Sequence, residues 1–187
     1  MIRVYLAGPD VFRPDAEAFG ARLKAICAGH GLDGVFPLDG LAGGDDPAWA
    51  GLPLAQVIAR RNEAHIAGCA ALIANLTPFR GPSADAGTVF EIGYARALGR
   101  PVFGWSNAAL PFAARSRAFT SGGERDGEGM LIEDFGDLTD NLMIDGAIIA
   151  SGGAVFTAAA EAAARWSSLE AFERCCKAVA RSAQLLA

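Results

Sequence analysis

The sequence is poor in the residue types that carry metal and redox chemistry. Only four of its 187 residues are cysteines and only two are histidines. Cys27, Cys69, Cys175 and Cys176 show no CxxC spacing and no matching pair of histidines. We therefore expect free thiols, and we predict neither a metal site nor a cofactor.

The sequence also lacks a stretch of concentrated positive charge. Its formal net charge is -5 and its pI is near 5.0. Proteins that bind DNA or RNA need a basic surface to neutralise phosphates, so no nucleic-acid partner is expected. A small constituent of a nucleic acid is still allowed, because one pocket can hold it.

Targeting segments and phosphate-binding motifs are missing as well. Met1 leads directly into a strand pattern, so no signal peptide is predicted. The weakly apolar stretch over residues 142–160 carries Asp145 and several Gly and Ser residues, which makes it a poor membrane span. There is no GxxxxGK[ST], and no GxGxxG follows the first strand. We expect a cytoplasmic protein without a membrane partner.

Short apolar runs alternate with helical patterns along the chain. The predicted strands are residues 2–7, 35–36, 70–76, 102–105 and 130–133. The predicted helices are residues 14–30, 54–67, 85–98, 140–149 and 154–181. This alternation is typical of an α/β fold: a doubly wound, flavodoxin- or Rossmann-like, five-stranded parallel sheet flanked by helices. One domain over residues 1–187 is expected, because no linker divides the chain.

Ligands of such sheets bind beyond the carboxyl ends of the strands, where the strand order reverses. The loops after Ala7, Leu76 and Trp105 are therefore the predicted binding loops. Residues 121–129, rich in glycine and charge, are predicted to form a surface loop.

Residues 75–95 combine a strand end, a turn-rich loop and a helix start. Ser83 or Asp85 is suited to cap the helix. Glu91 is unusual because its neighbours on the helix surface, at 100° per residue, are small or apolar. A carboxylate there must be paired, hydrated in a pocket or shifted in pKa, and such placement favours a functional site. A partly exposed structural acid is the alternative.

Three segments closely resemble the nucleoside 2-deoxyribosyltransferase family. They are Val-Tyr-Leu-Ala-Gly-Pro-Asp-Val-Phe at residues 4–12, the run Asp-Ala-Gly-Thr-Val-Phe-Glu-Ile-Gly within residues 75–95, and Asp-Asn-Leu-Met at residues 140–143. The resemblance covers residues 2–149, and the helical extension over 152–187 matches only loosely.

The resemblance implies a catalytic role for three residues. Glu91 matches the glutamate that attacks C1′ of the sugar and forms a covalent deoxyribosyl-enzyme. Tyr5 matches a tyrosine that orients this glutamate. Asp85 matches an aspartate that holds sugar hydroxyls. The implied reaction is base exchange between 2′-deoxyribonucleosides and free nucleobases, with retained anomeric geometry through two displacements.

The resemblance also implies a set of substrate-binding residues and an oligomer. Asn141, with Met143 beside it, matches an asparagine that a neighbouring subunit donates to the 5′-hydroxyl. A homo-oligomer is thus implied, dimer-based and in relatives usually hexameric. Glu63 stands where relatives often carry an aspartate facing the base. The full predicted substrate-binding set is Gly8, Asp39, Glu63, Gly87, Asn141 and Met143.

Two other functions remain open from the sequence. The first is an N-glycosidase that passes the sugar of a nucleoside or 5′-nucleotide to water. Its phosphate could be read by Ser83, Arg80 or Arg13, whereas Asn141 favours a free 5′-hydroxyl. The second is a non-catalytic nucleotide-binding module, because many doubly wound domains lack the activity.

Overall fold

The fold is built on a five-stranded, fully parallel β-sheet. The computed structural model describes residues 1–41 and 43–184. Its strands are β1 (Ile2–Ala7), β2 (Leu32–Val35), β3 (Ala71–Asn75), β4 (Val102–Ser106) and β5 (Val155–Thr157). Their order in the sheet is β2-β1-β3-β4-β5, which confirms the predicted doubly wound, flavodoxin-like fold.

Six α-helices cover the two faces of this sheet or follow its strands. They are α1 (Ala16–Gly29), α2 (Leu54–Ala67), α3 (Ala86–Ala97), α4 (Phe112–Thr120), α5 (Leu142–Ala150) and α6 (Glu170–Gln184). α1 and α6 pack on one face, while α2, α3 and α5 pack on the other. All five residues of β3 are buried, as expected for a central parallel strand covered on both sides.

The chain reverses its direction of winding between β1 and β3. Ala7, the last residue of β1, pairs with Ala74 of β3, so the carboxyl ends of these two strands lie side by side. The loops that follow them and the amino-terminal end of α3 border the region beyond these strand ends, which is called the crevice below. This is the switch point at which open α/β sheets bind their ligands.

Local sequence signals explain where the helices next to the crevice begin and end. Asp85 caps α3 by accepting a hydrogen bond from the Thr88 N–H at 3.1 Å, so Asp85 rather than Ser83 is the cap. Gly99, at φ +70°, follows the end of α3 in the left-handed conformation that commonly terminates helices.

The fifth strand was predicted at the wrong place. Residues 130–133 are largely exposed and form only an isolated antiparallel bridge between Arg125 and Leu131. The strand is β5 instead, which pairs in parallel with β4. Gly153 allows this pairing, because a Cβ there would lie 1.6 Å from the Val102 carbonyl oxygen. A three-residue edge strand beside an Ala-rich run gives little periodicity to detect.

Two helices and one strand boundary also differ from the prediction. The predicted long helix over 154–181 is interrupted: β5 occupies its start, and α6 begins only at Glu170. Helix α4 was not predicted; it has only nine residues, two of which are arginines. The second strand begins at Leu32, three residues earlier than predicted. Residues 185–187 of the predicted extension lie outside the described residues.

Within residues 1–41 and 43–184, no helix combines the length and the apolar character required to cross a bilayer.

Candidate active site

The centre of the crevice is a hydrogen bond between Tyr5 and Glu91. Tyr5 lies in β1 with no exposed surface, and Glu91 lies in the middle of α3. The Tyr5 hydroxyl donates to Glu91 Oε1 at 2.7 Å. The strand and the helix, separated by 86 residues in sequence, thus bring together the first two predicted catalytic residues.

The surroundings of Glu91 favour its protonated form. Burial raises the pKa of Glu91 from 4.5 to about 7, the hydrogen bond from Tyr5 opposes this rise, and the charge of Asp85 adds to it. The pKa of Tyr5 is raised far above its usual value, first by burial and then by Glu91, so Tyr5 remains a donor. The carboxyl group therefore titrates near neutrality, where proton transfer and nucleophilic attack are both accessible.

Asp85, the third predicted catalytic residue, lies at the amino-terminal end of the same helix. Its Oδ2 accepts from the Thr88 N–H, and the Thr88 hydroxyl lies 3.4 Å away. A Cβ at Gly87 would lie 3.0 Å from the same Oδ2. A small residue at position 87 therefore leaves room for the cap beside the crevice.

Gly8 forms a tightly packed floor where β1 ends. A Cβ at this position would lie 2.8 Å from Asn75 Cβ and 3.1 Å from Asp10 Oδ2. Asn75 donates to the same Asp10 oxygen at 2.9 Å. Burial raises the pKa of Asp10, whose Oδ1 is buried without a hydrogen-bond partner in the described part of the chain.

Asn141 is the amino-terminal cap of α5. Its Oδ1 accepts from the Met143 N–H at 2.9 Å, and its Nδ2 donates to Glu133 Oε2 at 2.9 Å. The side chain of Met143 is 66% exposed. Both predicted substrate-binding residues thus lie at one helix start, with Met143 open to solvent. Their contribution to a neighbouring subunit stays a prediction.

Asp140, which lies just before the start of α5, was not predicted as a site residue. Asp140 is fully buried and accepts hydrogen bonds from the N–H groups of Ala84 and Asn141, each at 2.8 Å. It also accepts from the Ser83 hydroxyl. Asp140 therefore joins the start of α5 to the loop before α3. Its place in the Asp-Asn-Leu-Met motif was the available signal.

The two remaining predicted substrate-binding residues differ in their surroundings. Asp39 already uses both carboxylate oxygens, which accept from Lys24 Nζ at 2.7 Å and from the Phe36 N–H at 2.9 Å. Its carboxylate thus stabilises the loop after β2, and direct substrate contact stays a prediction. Glu63 lies half-buried on α2, next to Asn62.

Two residues of α2 that were not predicted as site residues contact the central pair. Asn62 Nδ2 lies 3.5 Å from Glu91 Oε1. The buried ring of His65 stacks on Tyr5, with 6.4 Å between ring centroids and 26° between planes. No sequence pattern marks His65, because its contacts come from Asp39 and Tyr5, which are distant in sequence.

This arrangement suits nucleophilic catalysis by a carboxylate. One oxygen of Glu91 is held by donors, which leaves the other available to form a bond. Among the described residues, no three Cys, His, Asp or Glu side chains are grouped to hold a metal ion.

The sequence is similar to a known protein family and to a relative from another organism. The family model described as nucleoside 2-deoxyribosyltransferase matches residues 4–143. An uncharacterized protein of Schizosaccharomyces pombe is 35% identical over 169 residues, covering 81% of this chain and 79% of that protein.

Two solved structures are also similar to this chain. A 2-desoxiribosyltransferase from Leishmania mexicana is similar with a TM-score of 0.59 and 31% identity, over 77% of this chain and 85% of that chain. A conserved protein from Enterococcus faecalis V583, at 23% identity, shares the fold with a TM-score of 0.57 over 95% of this chain and 98% of that chain. With three-quarters of its length matched by the family model, and with Tyr5 and Glu91 joined at the switch point, the chain belongs to the nucleoside 2-deoxyribosyltransferase family.

Proposed function

We propose that the protein is a nucleoside 2-deoxyribosyltransferase that exchanges the base of 2′-deoxyribonucleosides through a covalent deoxyribosyl-Glu91 intermediate. The observation that carries the proposal is the Tyr5–Glu91 hydrogen bond at the switch point, with a Glu91 pKa near 7. The Leishmania mexicana relative, whose name states this activity, supports it.

In the first displacement, a Glu91 carboxylate oxygen attacks C1′ of the bound deoxynucleoside. The C1′–N bond to the base breaks, and its electron pair moves to the base nitrogen. An acid then supplies a proton to the leaving base. Glu63 and Asp85 are the two candidates for this acid.

In the second displacement, a nitrogen of the incoming free base attacks C1′ from the opposite side. The bond between C1′ and Glu91 breaks, and the incoming base gives up its proton to the same acid. Two inversions retain the anomeric configuration. Positive charge develops on the sugar in both transition states, and the nearby carboxylates stabilise it.

The tightly packed floor at Gly8 supports selectivity for deoxyribose. Gly8 has no room for a single added carbon. We propose that a 2′-hydroxyl meets the same restriction, so that adenosine reacts at least about ten-fold more slowly than deoxyadenosine. Equal rates for the two nucleosides would contradict this assignment.

The state of the candidate phosphate-binding residues favours a substrate with a free 5′-hydroxyl. Ser83 donates to Asp140, and Arg13 is paired with Asp15 at 2.9 Å and also bonds the Trp166 carbonyl. Arg80 lies over the ring of Phe79, 4.5 Å from its centroid. A 5′-phosphate bound by Ser83 or Arg13 would have to displace their present partners, which weakens the N-glycosidase alternative.

The test is chromatography of thymidine or deoxyinosine incubated with free adenine, using the wild type and Glu91→Ala. Deoxyadenosine is expected with the wild type alone. When the wild type is incubated with a deoxynucleoside and no acceptor base, intact-mass measurement is expected to detect one added deoxyribosyl group.

Other products would point to the alternatives. Free deoxyribose without deoxyadenosine would move the assignment to an N-glycosidase. Absence of turnover of deoxynucleosides and their monophosphates would favour a non-catalytic binding module.

A further inference from the structure

Glu91 Oε1 is approached by two donors from different elements. The Tyr5 hydroxyl comes from β1 at 2.7 Å, and the Asn62 amide comes from α2 at 3.5 Å. Both donors point at Oε1, and in the described part of the chain no donor is recorded on Oε2. The two oxygens of the carboxylate are therefore not equivalent.

The register of α2 is fixed so that Asn62 faces this carboxylate. His65, one turn further along the helix, is buried. Its Nε2 lies 2.9 Å from the Asp39 carbonyl oxygen, which can only accept, so Nε2 carries the proton. With His65 tied to the loop after β2 and stacked on Tyr5, the preceding turn is held against α3.

The half-buried side chain of Asn62 has a poorly satisfied amide. Its Oδ1 is buried without a hydrogen-bond partner among the described residues. An apolar residue would avoid the free-energy cost of a buried oxygen that accepts no hydrogen bond. The amide therefore has its main polar contact at Glu91, which indicates a role there rather than in holding the helix.

We propose that Asn62 is a positioning residue that, together with Tyr5, holds Glu91 Oε1 and thereby selects Oε2 as the oxygen that bonds to C1′. The inference rests on the proposed function for the identity of the electrophile. In the step concerned, the Oε2–C1′ bond forms, the C1′–N bond breaks, and the electron pair leaves with the base, which the acid protonates. Oε1 keeps its two donors throughout and disperses the remaining charge.

The variant Asn62→Leu tests this role, because leucine has similar size and no donor. Loss of a donor to the charged form raises the pKa of Glu91. We expect the pKa of Glu91 to rise by about half a pH unit or more. The measurement is a carbon-13 NMR titration of the Glu91 side-chain carboxyl, whose signal is assigned by comparison with Glu91→Gln. We also expect kcat for base exchange to fall about ten-fold, with KM changed less than about two-fold.

Gln56→Leu is the matched control, because Gln56 is an exposed amide on the same helix. It is expected to leave the titration, kcat and KM unchanged. Asn62→Ser, which is smaller and keeps a hydroxyl donor, provides a second variant if Asn62→Leu does not fold. It is expected to shift the Glu91 pKa in the same direction, because its shorter side chain cannot reach Oε1.

The readouts separate this inference from the proposed function. An unchanged Glu91 titration in a folded Asn62 variant overturns the positioning role, even if the wild type exchanges bases. A changed KM with unchanged kcat also overturns it, because Asn62 would then contact the substrate. If Asn62→Leu shifts the Glu91 titration but the wild type does not exchange bases, the contact between Asn62 and Glu91 is supported and the proposed function is wrong.

Discussion

Glu91 combines two properties that oppose each other. Its burial on α3 raises its pKa to about 7, which disfavours the charged form that a nucleophile needs. The hydrogen bond from Tyr5 stabilises the charged form and limits that rise. The reactivity of the carboxylate at neutral pH therefore depends on the balance between burial and one phenolic donor.

Replacing Tyr5 by Phe is expected to disturb this balance in a defined direction. Without the donor, the pKa of Glu91 rises above about 7, and the acidic limb of the pH–rate profile moves to higher pH. We expect kcat to fall about 10- to 100-fold. Tyr94→Phe changes the protein's other tyrosine, half-buried on α3, and should leave the profile in place. A profile that does not move in Tyr5→Phe would contradict the assigned role.

The raised pKa of Glu91 also makes a prediction about stability. A carboxyl with a higher pKa in the folded state stabilises the fold below pH 4.5, and that contribution is lost as pH rises through about 7. From pH 5 to pH 8, the free energy of unfolding of the wild type should fall by about 2 to 3 kcal/mol relative to Glu91→Gln.

Urea denaturation at the two pH values measures this difference. Glu17→Gln, at an exposed position on α1, is the control and should follow the wild type at both. If the free energy of unfolding of Glu91→Gln does not rise relative to the wild type between pH 5 and pH 8, burial does not raise the pKa of Glu91.

At the scale of elements, the site depends on how α3 and α5 are joined. Asp140 links the start of α5 to the loop before α3 through hydrogen bonds to Ala84, Asn141 and Ser83. Arg115 of α4, 3.8 Å from Asp140, bonds the carbonyl groups of Pro82 and Thr139. One buried carboxylate thus fixes the position of Asn141 relative to Asp85 and Glu91.

Asp140→Asn is expected to loosen this connection. An asparagine keeps one acceptor oxygen and presents its amide hydrogens to N–H groups, so buried donors lose their partner. We expect a loss of about 2 to 4 kcal/mol in the free energy of unfolding, measured by chemical denaturation. Asp137→Asn, at an exposed position three residues earlier, should change it by less than about 0.5 kcal/mol. Equal stabilities for the two variants would mean that the hydrogen bonds of Asp140 do not stabilise the fold.

At the scale of the whole molecule, the carboxyl-terminal segment is part of the core. α6 contributes Ala171, Phe172, Cys175, Cys176 and Val179 to the apolar cluster on the α1 side of the sheet. The ring of Phe172 lies edge-on to Trp105 of β4, with 5.8 Å between centroids. The sheet that positions Tyr5 therefore relies on a segment outside the family match at residues 4–143.

Phe172→Ala is accordingly expected to destabilise the protein by about 3 to 5 kcal/mol, because it leaves a cavity against β4. Phe119→Ala, at a ring that is 65% exposed, should change the free energy of unfolding by less than about 1 kcal/mol. Thermal and urea unfolding of the two variants provide the comparison. Similar stabilities would mean that α6 packs on the sheet without supporting it.

Several features of the fold follow from the sequence alone. Continuous apolar runs at β1, β3 and β4 predict buried parallel strands, because such strands are covered on both faces. The isolated charge of Glu91 on the apolar side of α3 predicts a perturbed carboxyl, and the structure agrees. These signals are local, since they depend only on which residues share a strand or a helix face.

The remaining features are decided by contacts between distant residues. β5 is a strand only because β4 offers it an edge to pair with, and an Ala-rich segment gives no periodic signal of that pairing. The partners of Glu91, Tyr5 and Asn62, lie 86 and 29 residues away. Sequence determined which side chains are available for chemistry, whereas the tertiary structure decided which oxygen of Glu91 is held, because that depends on distances between α2, α3 and β1.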